Sequence, residues 1–320
     1  MGLKASDQTR HIPVLMVSAL DEFDSVVTCI EAGAEDYLPK PVEPALLRAR
    51  IGACLERKHR RDREREHRRR IEETQARLAG ELAEAARYVR SLLPEPISGH
   101  PTVDWLYRPC SELGGDAFGY HWVDGDRMAI YLLDVCGHGV GASLLSVAAI
   151  HVLRSNGLAG VDFGDPAAVL AGLNRAFPME AQGDMYFTLW YGVYSTVDHR
   201  LLYSSAGHPP ALLLGAPPEA GAGTVTRLRT AGLPVGAVPG SAYLTAECQI
   251  QSGMRLCVIS DGCYEMPTTD GSCVGLEKLS HALSDLSPGE AGLRSFERWL
   301  DERSMGGSSD DVSMVRVHFR

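Results

Sequence analysis

Aspartates stand at the ends of three predicted β-strands, and this pattern constrains the fold more than any other feature of the chain. The apolar run 128–134 is too short for a typical helix and leads into a Gly-rich turn. The apolar run 255–261 ends in the same way, and a third run, 312–319, follows directly on two aspartates. Because glycines let backbone and carboxylates crowd one point, we expect these strand ends to meet. The aspartates concerned are Asp134, Asp261 and Asp310.

Asp116 follows Gly114 and Gly115 and adds a fourth carboxylate to this predicted cluster. Hard cations such as Mg²⁺ and Mn²⁺ prefer oxygen ligands, so the pattern indicates a site for divalent metal. A single Asp-Gly pair has an ordinary alternative interpretation, because the same pair marks many turns. The ordered set of four aspartates is the stronger signal.

The order of six short motifs resembles the SpoIIE/RsbU branch of the metal-dependent PPM-type serine/threonine phosphatases. The resemblance runs from about residue 92 to residue 320 and is carried by GGDAFGY, DVCGHGVGASLL, SSAGHPPALLL, GLPVG, ISDGCYE and SSDDVSMVRV. It implies an α+β fold, namely an α-β-β-α sandwich in which two antiparallel sheets are flanked by helices. The metals would lie in the cleft between the sheet edges.

The resemblance also implies a catalytic two-metal centre that holds two ions of Mn²⁺ or Mg²⁺. Asp116 and Asp134, with the backbone carbonyl of Val135, would bind the ions, and Asp261 and Asp310 would complete their ligands. A water activated between the ions would hydrolyse phosphoserine or phosphothreonine in a protein, by resemblance an anti-sigma-factor antagonist in partner-switching signal transduction. The alternative is a catalytically weak phosphatase-fold scaffold that binds a signalling partner, although the presence of all four acids argues against it.

Further residues are predicted to surround the ligands without binding the metals. For His138, a proton shuttle and a residue that fixes the Gly-rich turn are both open interpretations. Many relatives carry an acid where this chain has Gly119, so a third metal or an extra water partner is less expected. Cys136 is interpreted as a packing residue, because no His or Asp partner spacing suggests a thiol nucleophile. The surrounding residues are Gly115, His138, His208 and Asp311.

Residues 1–55 resemble the C-terminal half of a response-regulator receiver domain, a partial α/β fragment. Ser18 matches the switch Ser/Thr of that family, and Lys40-Pro41 matches its Lys-Pro pair. The strands that would carry the acidic pair and the phosphorylatable aspartate are missing from this sequence. We therefore expect that the start at Met1 is internal or that the gene is truncated, and that this segment is not phosphorylated as written.

Residues 56–96 are predicted to form a helical linker to a phosphatase domain over 97–320. The segment 54–73 mixes Arg with Glu and Asp, which favours a solvated helix face over a nucleic-acid or membrane surface. An apolar seam then follows a heptad spacing, which predicts either a homodimeric coiled coil or a helix packed on its own domain. The seam residues are Ile71, Leu78, Leu82, Ala85, Val89 and Leu92.

Composition excludes several classes of protein. The formal net charge of −10 argues against a nucleic-acid partner. The eight cysteines show no paired spacing, and no apolar run approaches the ~20 residues of a membrane span. These features predict a soluble, cytoplasmic protein. The pattern further predicts helices over 139–154, 166–177, 276–286 and 291–303, and strands over 186–197, 200–205, 211–214, 224–228, 242–250, 255–260 and 312–319.

Overall fold

The computed structural model describes residues 2–19, 23–215, 225–267, 273–286, 289–303 and 310–319. The chain divides into two compact units, Met1–Glu81 and Leu82–Arg320. The domain limits predicted near residues 56 and 97 are not tested by this division and stay predictions.

The first unit contains a small parallel pair of strands, β1 and β2, in which Ser18 lies opposite Pro39. The backbone N–H of Lys40 donates to the carbonyl of Ser18 at 2.8 Å, so the two residues singled out by the receiver resemblance are neighbours. The elements are α1 Gly2–Ala5, β1 Leu15–Ser18, α2 Phe23–Glu31 and β2 Asp36–Pro39.

The helix predicted for residues 56–96 is part of a longer continuous helix, α3 Pro44–Ser91. Its 48 residues contain no proline after the first position, and the two interior glycines, Gly52 and Gly80, do not interrupt the helix. Ion pairs one turn apart, such as Arg70 with Glu66 at 3.1 Å, support the predicted solvated face. Among the described residues, no helix combines the length and apolar character that a membrane span requires.

Two five-stranded antiparallel sheets form the body of the second unit. One sheet has the order β10-β7-β6-β5-β4 and the other has the order β3-β12-β11-β8-β9. The strands are β3 Thr102–Arg108, β4 Ala117–Trp122, β5 Arg127–Val135, β6 Phe187–Ser195, β7 Arg200–Ala206, β8 Ala211–Leu214, β9 Val225–Leu228, β10 Ala246–Gln249, β11 Arg255–Ile259 and β12 Val312–His318.

Side chains that alternate along each central strand separate three apolar layers. In β5, Met128 and Ile130 point into the core between the sheets, whereas Ala129 and Tyr131 point toward α4 and α5. The outer face of the second sheet packs against α6 and α7. The helices are α4 Val140–Arg154, α5 Pro166–Ala176, α6 Leu276–Ser284 and α7 Glu290–Asp301. This is the predicted α-β-β-α sandwich.

The predicted elements agree with the structure in most places, with two main differences. The prediction of a strand over 242–250 was wrong for its first half, because only Ala246–Gln249 pairs, antiparallel to β7. Strands β3 and β4 were not predicted. Parts of two predictions, Thr224 and the motif residues Ser308 and Ser309, lie outside the described residues.

Candidate active site

The two sheets each bring aspartates to the site from adjacent strands. Asp116 directly precedes β4 and Asp134 lies near the end of β5, and these strands pair in one sheet. Asp261 opens a 3-10 turn after β11, and Asp310 precedes β12, its antiparallel neighbour in the other sheet. Asp134 is within electrostatic range of each of the other three, because its charge raises the pKa of Asp116 and the charges of Asp261 and Asp310 raise its own pKa.

Asp116 is the most deeply buried of these acids, with 3 % of its surface exposed. Neither oxygen of its carboxylate has a hydrogen-bond partner at bonding geometry among the described residues, although the hydroxyls of Ser313 and Ser260 lie close enough to lower its pKa. Burial, and then the charge of Asp134, raises the pKa of Asp116 well above its ordinary value. A buried carboxylate without a partner is costly, so this position demands either a proton or a cation.

Asp134 and Asp261 show the same effect at partly buried positions. Burial, and then the charges of Asp261 and Asp310, raises the pKa of Asp134 to about 8. Burial, and then the charges of Asp310 and Glu265, raises the pKa of Asp261 to about 6. These carboxylates repel one another, and a bound cation would relieve that repulsion.

Asp311 has a different surrounding from Asp310, although the two are adjacent. One oxygen of its buried carboxylate accepts from the backbone N–H of Cys110 at 2.8 Å, and the other accepts from that of Asp116 at 3.1 Å. A Cβ atom at Gly114 would overlap this carboxylate. Asp311 therefore ties the loop that leads to Asp116, while the carboxylate of Asp310 is exposed and faces the cluster.

The backbone carbonyls of Val135 and Gly137 approach Gly115. A Cβ atom at Gly115 would lie 2.8 Å from the Val135 oxygen and 3.0 Å from the Gly137 oxygen. Only a residue without a side chain leaves these two oxygens clear. Gly115, which was predicted to lie around the ligands, thus leaves the carbonyl oxygen of Val135 accessible. Val135 is the predicted backbone ligand.

His208 is fully buried beside β6, the strand that carries Thr188. Its Nδ1 shares a hydrogen bond of 2.7 Å with the hydroxyl of Thr188, and Thr188 lies directly opposite Asp134 in the β5–β6 register. Burial lowers the pKa of His208 to about 3. The imidazole is neutral and supports the strand next to the cluster.

The Gly-rich turn after β5 places His138 on the surface. Gly139 anchors this turn by donating its N–H to the carbonyl of Leu113 at 3.2 Å. Cys136 exchanges contacts with Tyr186, whose N–H donates to the Cys136 sulfur at 3.3 Å. These contacts fix the turn and leave the His138 side chain exposed.

Gly119 lies opposite Tyr131 in the β4–β5 pair. A Cβ atom at Gly119 would lie 2.6 Å from the Tyr131 ring, which has no room to move because it is fully buried and stacks on Tyr191 at 5.8 Å. The tyrosine therefore fills the space that a side chain at position 119 would need.

The residues fit a centre for divalent cations, with one qualification from the geometry. All donors are oxygens, and the buried carboxylate of Asp116 lacks a partner in the described structure. No group of three or more Asp, Glu, His or Cys side chains among the described residues is close enough to enclose a single ion. A cation here would complete its coordination with backbone carbonyl and water, as Mg²⁺ commonly does.

Sequence reasoning missed two features of the site, namely the hydrogen bonds made by Asp311 and the position of Thr188. Asp311 was expected near the ligands, but its two backbone hydrogen bonds give no sequence signal because they join residues about 200 positions apart. Thr188 was not singled out, and only the register of β5 with β6 reveals that it faces Asp134.

Comparison with known proteins agrees with this geometry. The profile of the family named Stage II sporulation protein E (SpoIIE) matches residues 124–320. The phosphoserine phosphatase RsbP of Bacillus subtilis is 28 % identical over 187 residues, which cover 57 % of this chain and 44 % of RsbP. The SiaA-PP2C domain of Pseudomonas aeruginosa superposes with a TM-score of 0.64 at 20 % identity, covering 77 % of this chain and 98 % of that domain.

The N-terminal part is similar to response regulators. The phosphate regulon regulatory protein PhoB of Escherichia coli is 46 % identical over 55 residues, or 17 % of this chain and 24 % of PhoB. The chain thus spans less than half the length of either curated relative. Because the family profile covers more than half of the chain and the two-sheet fold agrees with that of a PP2C domain, the chain belongs to the SpoIIE family.

Proposed function

We propose that this chain is a metal-dependent protein serine/threonine phosphatase that hydrolyses phosphoserine or phosphothreonine. The observation that carries the proposal is the buried, unpartnered carboxylate of Asp116 within a cluster of aspartates, in a chain of the SpoIIE family. Similarity to the phosphoserine phosphatase RsbP supports the same reaction class.

Asp116, Asp134, Asp261 and Asp310 would hold two divalent cations, with the carbonyl of Val135 as a backbone ligand. When bound, such ions lower the pKa of a bound water and neutralise the charge that develops on the phosphoryl group. Magnesium is present in the structure of RsbX, which shares this fold with a TM-score of 0.53. Either Mg²⁺ or Mn²⁺ satisfies an all-oxygen donor set.

The chain's own residues would prepare this centre. Gly115 leaves the carbonyl of Val135 clear, and Asp311 fixes the backbone from Cys110 to Asp116. His208 is neutral and would support Thr188 and not carry a proton. The pre-formed loop would spare the protein part of the reorganisation that binding otherwise requires.

The test is turnover of p-nitrophenyl phosphate and of a phosphoserine peptide by the full chain, with Mn²⁺, with Mg²⁺ and with chelator. We expect turnover that requires metal and is abolished in Asp116→Asn and Asp261→Asn. Asp198→Asn is the matched control, because Asp198 lies in the exposed hairpin after β6. Retained turnover in the Asp116 variant would refute the site, and no turnover from folded wild-type protein would favour the scaffold alternative.

We further infer that the substrate is an anti-sigma-factor antagonist and that the linker helix forms a homodimer. The first inference rests on the resemblance to the RsbU branch. The second is supported by two seam residues that stay exposed on α3, Ile71 at 43 % and Leu78 at 54 %. Light scattering on Leu78→Lys tests the dimer, because a charge at a buried seam would dissociate it.

A further inference from the structure

An open cavity of about 510 Å³ lies between the end of α3 and the loop that leads to the aspartates. The helix contributes Arg87 and Arg90, and the opposite wall is the loop from Pro109 to Leu113. In that loop, Cys110 is the residue whose N–H is held by Asp311. The wall of the cavity therefore includes a residue that is hydrogen-bonded to Asp311, the side chain that fixes the loop leading to Asp116.

The two arginines differ from their neighbours Arg70 and Arg77 on this helix, because those two have an acidic partner. Arg70 pairs with Glu66 and Arg77 pairs with Glu81, each one turn away. Arg87 and Arg90 form no ion pair with any residue that the structure describes, and both are exposed. The small residues Ala83 and Ala86 line the same wall and leave the space in front of the guanidinium groups open.

Tyr107 connects this cavity to the aspartate cluster. The Arg90 guanidinium lies over the Tyr107 ring at 5.9 Å from its centroid, which is a cation–π distance. Burial, and then the charges of Asp311 and Asp116, raises the pKa of Tyr107, and the charge of Arg90 opposes this effect. One side chain thus lies within electrostatic range of both the arginine and the buried acids.

The charges on the two sides of Tyr107 are opposite in sign. The negative charge of the aspartates would be neutralised only when metal ions are bound. The two arginines, in contrast, are positively charged at every working pH. The cavity also contains one acid, Glu112, which is exposed on the loop and leaves an excess of positive charge. Two guanidinium groups three residues apart suit carboxylates presented side by side on a peptide.

We propose that Arg87 and Arg90 form a subsite that binds acidic side chains flanking the phosphorylated residue of the protein substrate. This inference rests on the proposed phosphatase function and adds a preference for acidic sequence to it. The subsite positions a peptide whose phosphoserine enters the aspartate cluster, with Tyr107 as the wall between them.

The test compares two phosphoserine peptides that differ only in their flanks, one with Asp and Glu and the other with Asn and Gln. We expect the wild type to prefer the acidic peptide by about tenfold in kcat/KM, mainly through KM, as charge-assisted contacts of this kind imply. In Arg87→Ala/Arg90→Ala the preference should fall to about one. Arg77→Ala is the matched control on the same helix and should keep the full preference.

Charge reversal gives a second readout that a merely structural role would not produce. Arg87→Glu/Arg90→Glu should prefer a third peptide with Lys flanks over the acidic one. Equal loss on the acidic and neutral peptides would overturn the assignment, because the pair would then serve the phosphate or the fold. A change of mass in light scattering would overturn it too, since the arginines would then belong to a contact between copies.

Direct binding separates failure of this inference from failure of the proposed function. Fluorescence anisotropy of the labelled acidic phosphopeptide measures affinity without turnover, and increasing salt should weaken it. If no metal supports turnover but wild-type protein still binds the acidic peptide more tightly than the double alanine variant, the subsite stands and the enzyme assignment fails. Equal binding by the two proteins would overturn the subsite.

Discussion

The backbone N–H of Asp116 donates to the carboxylate of Asp311 at 3.1 Å, although 195 residues separate the two in sequence. The other oxygen of the same carboxylate accepts from Cys110 at 2.8 Å. One side chain that directly precedes β12 of the second sheet therefore holds the loop that enters β4 of the first sheet. This bond joins the two sheets at the candidate active site.

Removal of the two hydrogen bonds made by the Asp311 carboxylate should destabilise the protein. Asp311→Ala leaves two backbone N–H groups without their charged acceptor, so we expect a loss of about 3 kcal/mol in the free energy of unfolding. Asp311→Asn keeps one acceptor oxygen and should lose about half as much. Urea denaturation with chelator present measures both, and an alanine variant as stable as wild type would show that the loop is held by other contacts.

The stability of the metal-free protein should fall as pH rises from about 4 to about 8. The pKa of Asp134 is about 8 in the folded chain and about 3.9 when unfolded. Between these values the folded state binds the proton more tightly, so raising the pH favours unfolding, and the effect ends above the folded pKa. Melts in chelator across this range test it, and Asp134→Asn should flatten the curve.

Metal should stabilise the wild type but not Asp116→Asn. At a free-ion concentration about 100 times the dissociation constant, binding to the folded state adds about 2.7 kcal/mol. Without metal the variant should be at least as stable as the wild type, because burial and the charge of Asp134 disfavour the ionised form of Asp116 and asparagine has no charge. Thermal melts with and without Mn²⁺ decide this, with Asp198→Asn as the control that keeps the gain. A full gain in the Asp116 variant would contradict the ligand assignment.

His208 should contribute no step to the pH profile of turnover. Its pKa of about 3 lies below the working range, so the ring does not change charge there. We expect His208→Gln to lower stability through the lost support of Thr188 while the shape of the kcat/KM profile stays the same. Disappearance of an acid limb in the variant would instead assign a proton-transfer role to this histidine.

Strands could be predicted from the sequence where a short apolar run is bounded by residues that favour turns. The strand Ala211–Leu214 was predicted to the residue, because this short apolar run stands between two prolines and a stretch rich in Gly and Pro. Strand β3, with Trp105 and Arg108 among its residues, was missed because it mixes polar and aromatic side chains. Its place is set by pairing with β12, which is a tertiary contact.

The candidate site was predictable to the level of its aspartates and no further. Strand ends and glycines mark Asp116, Asp134 and Asp261 locally, so the order of motifs identifies them. The difference between Asp310 and Asp311 depends on which carboxylate turns toward Cys110, and sequence carries no signal for that choice. The arginine subsite likewise depends on where the end of α3 faces the loop at Cys110.

The contact between Gly119 and Tyr131 has a consequence for the order in which mutations can accumulate. An acid at position 119 collides with the tyrosine ring, so that change alone is blocked by the overlap. A smaller residue at 131 first would leave a cavity beside Tyr191, which costs stability before any acid arrives. Each single substitution is therefore unfavourable, and an acid at position 119 requires a compensating substitution at position 131 in the same variant.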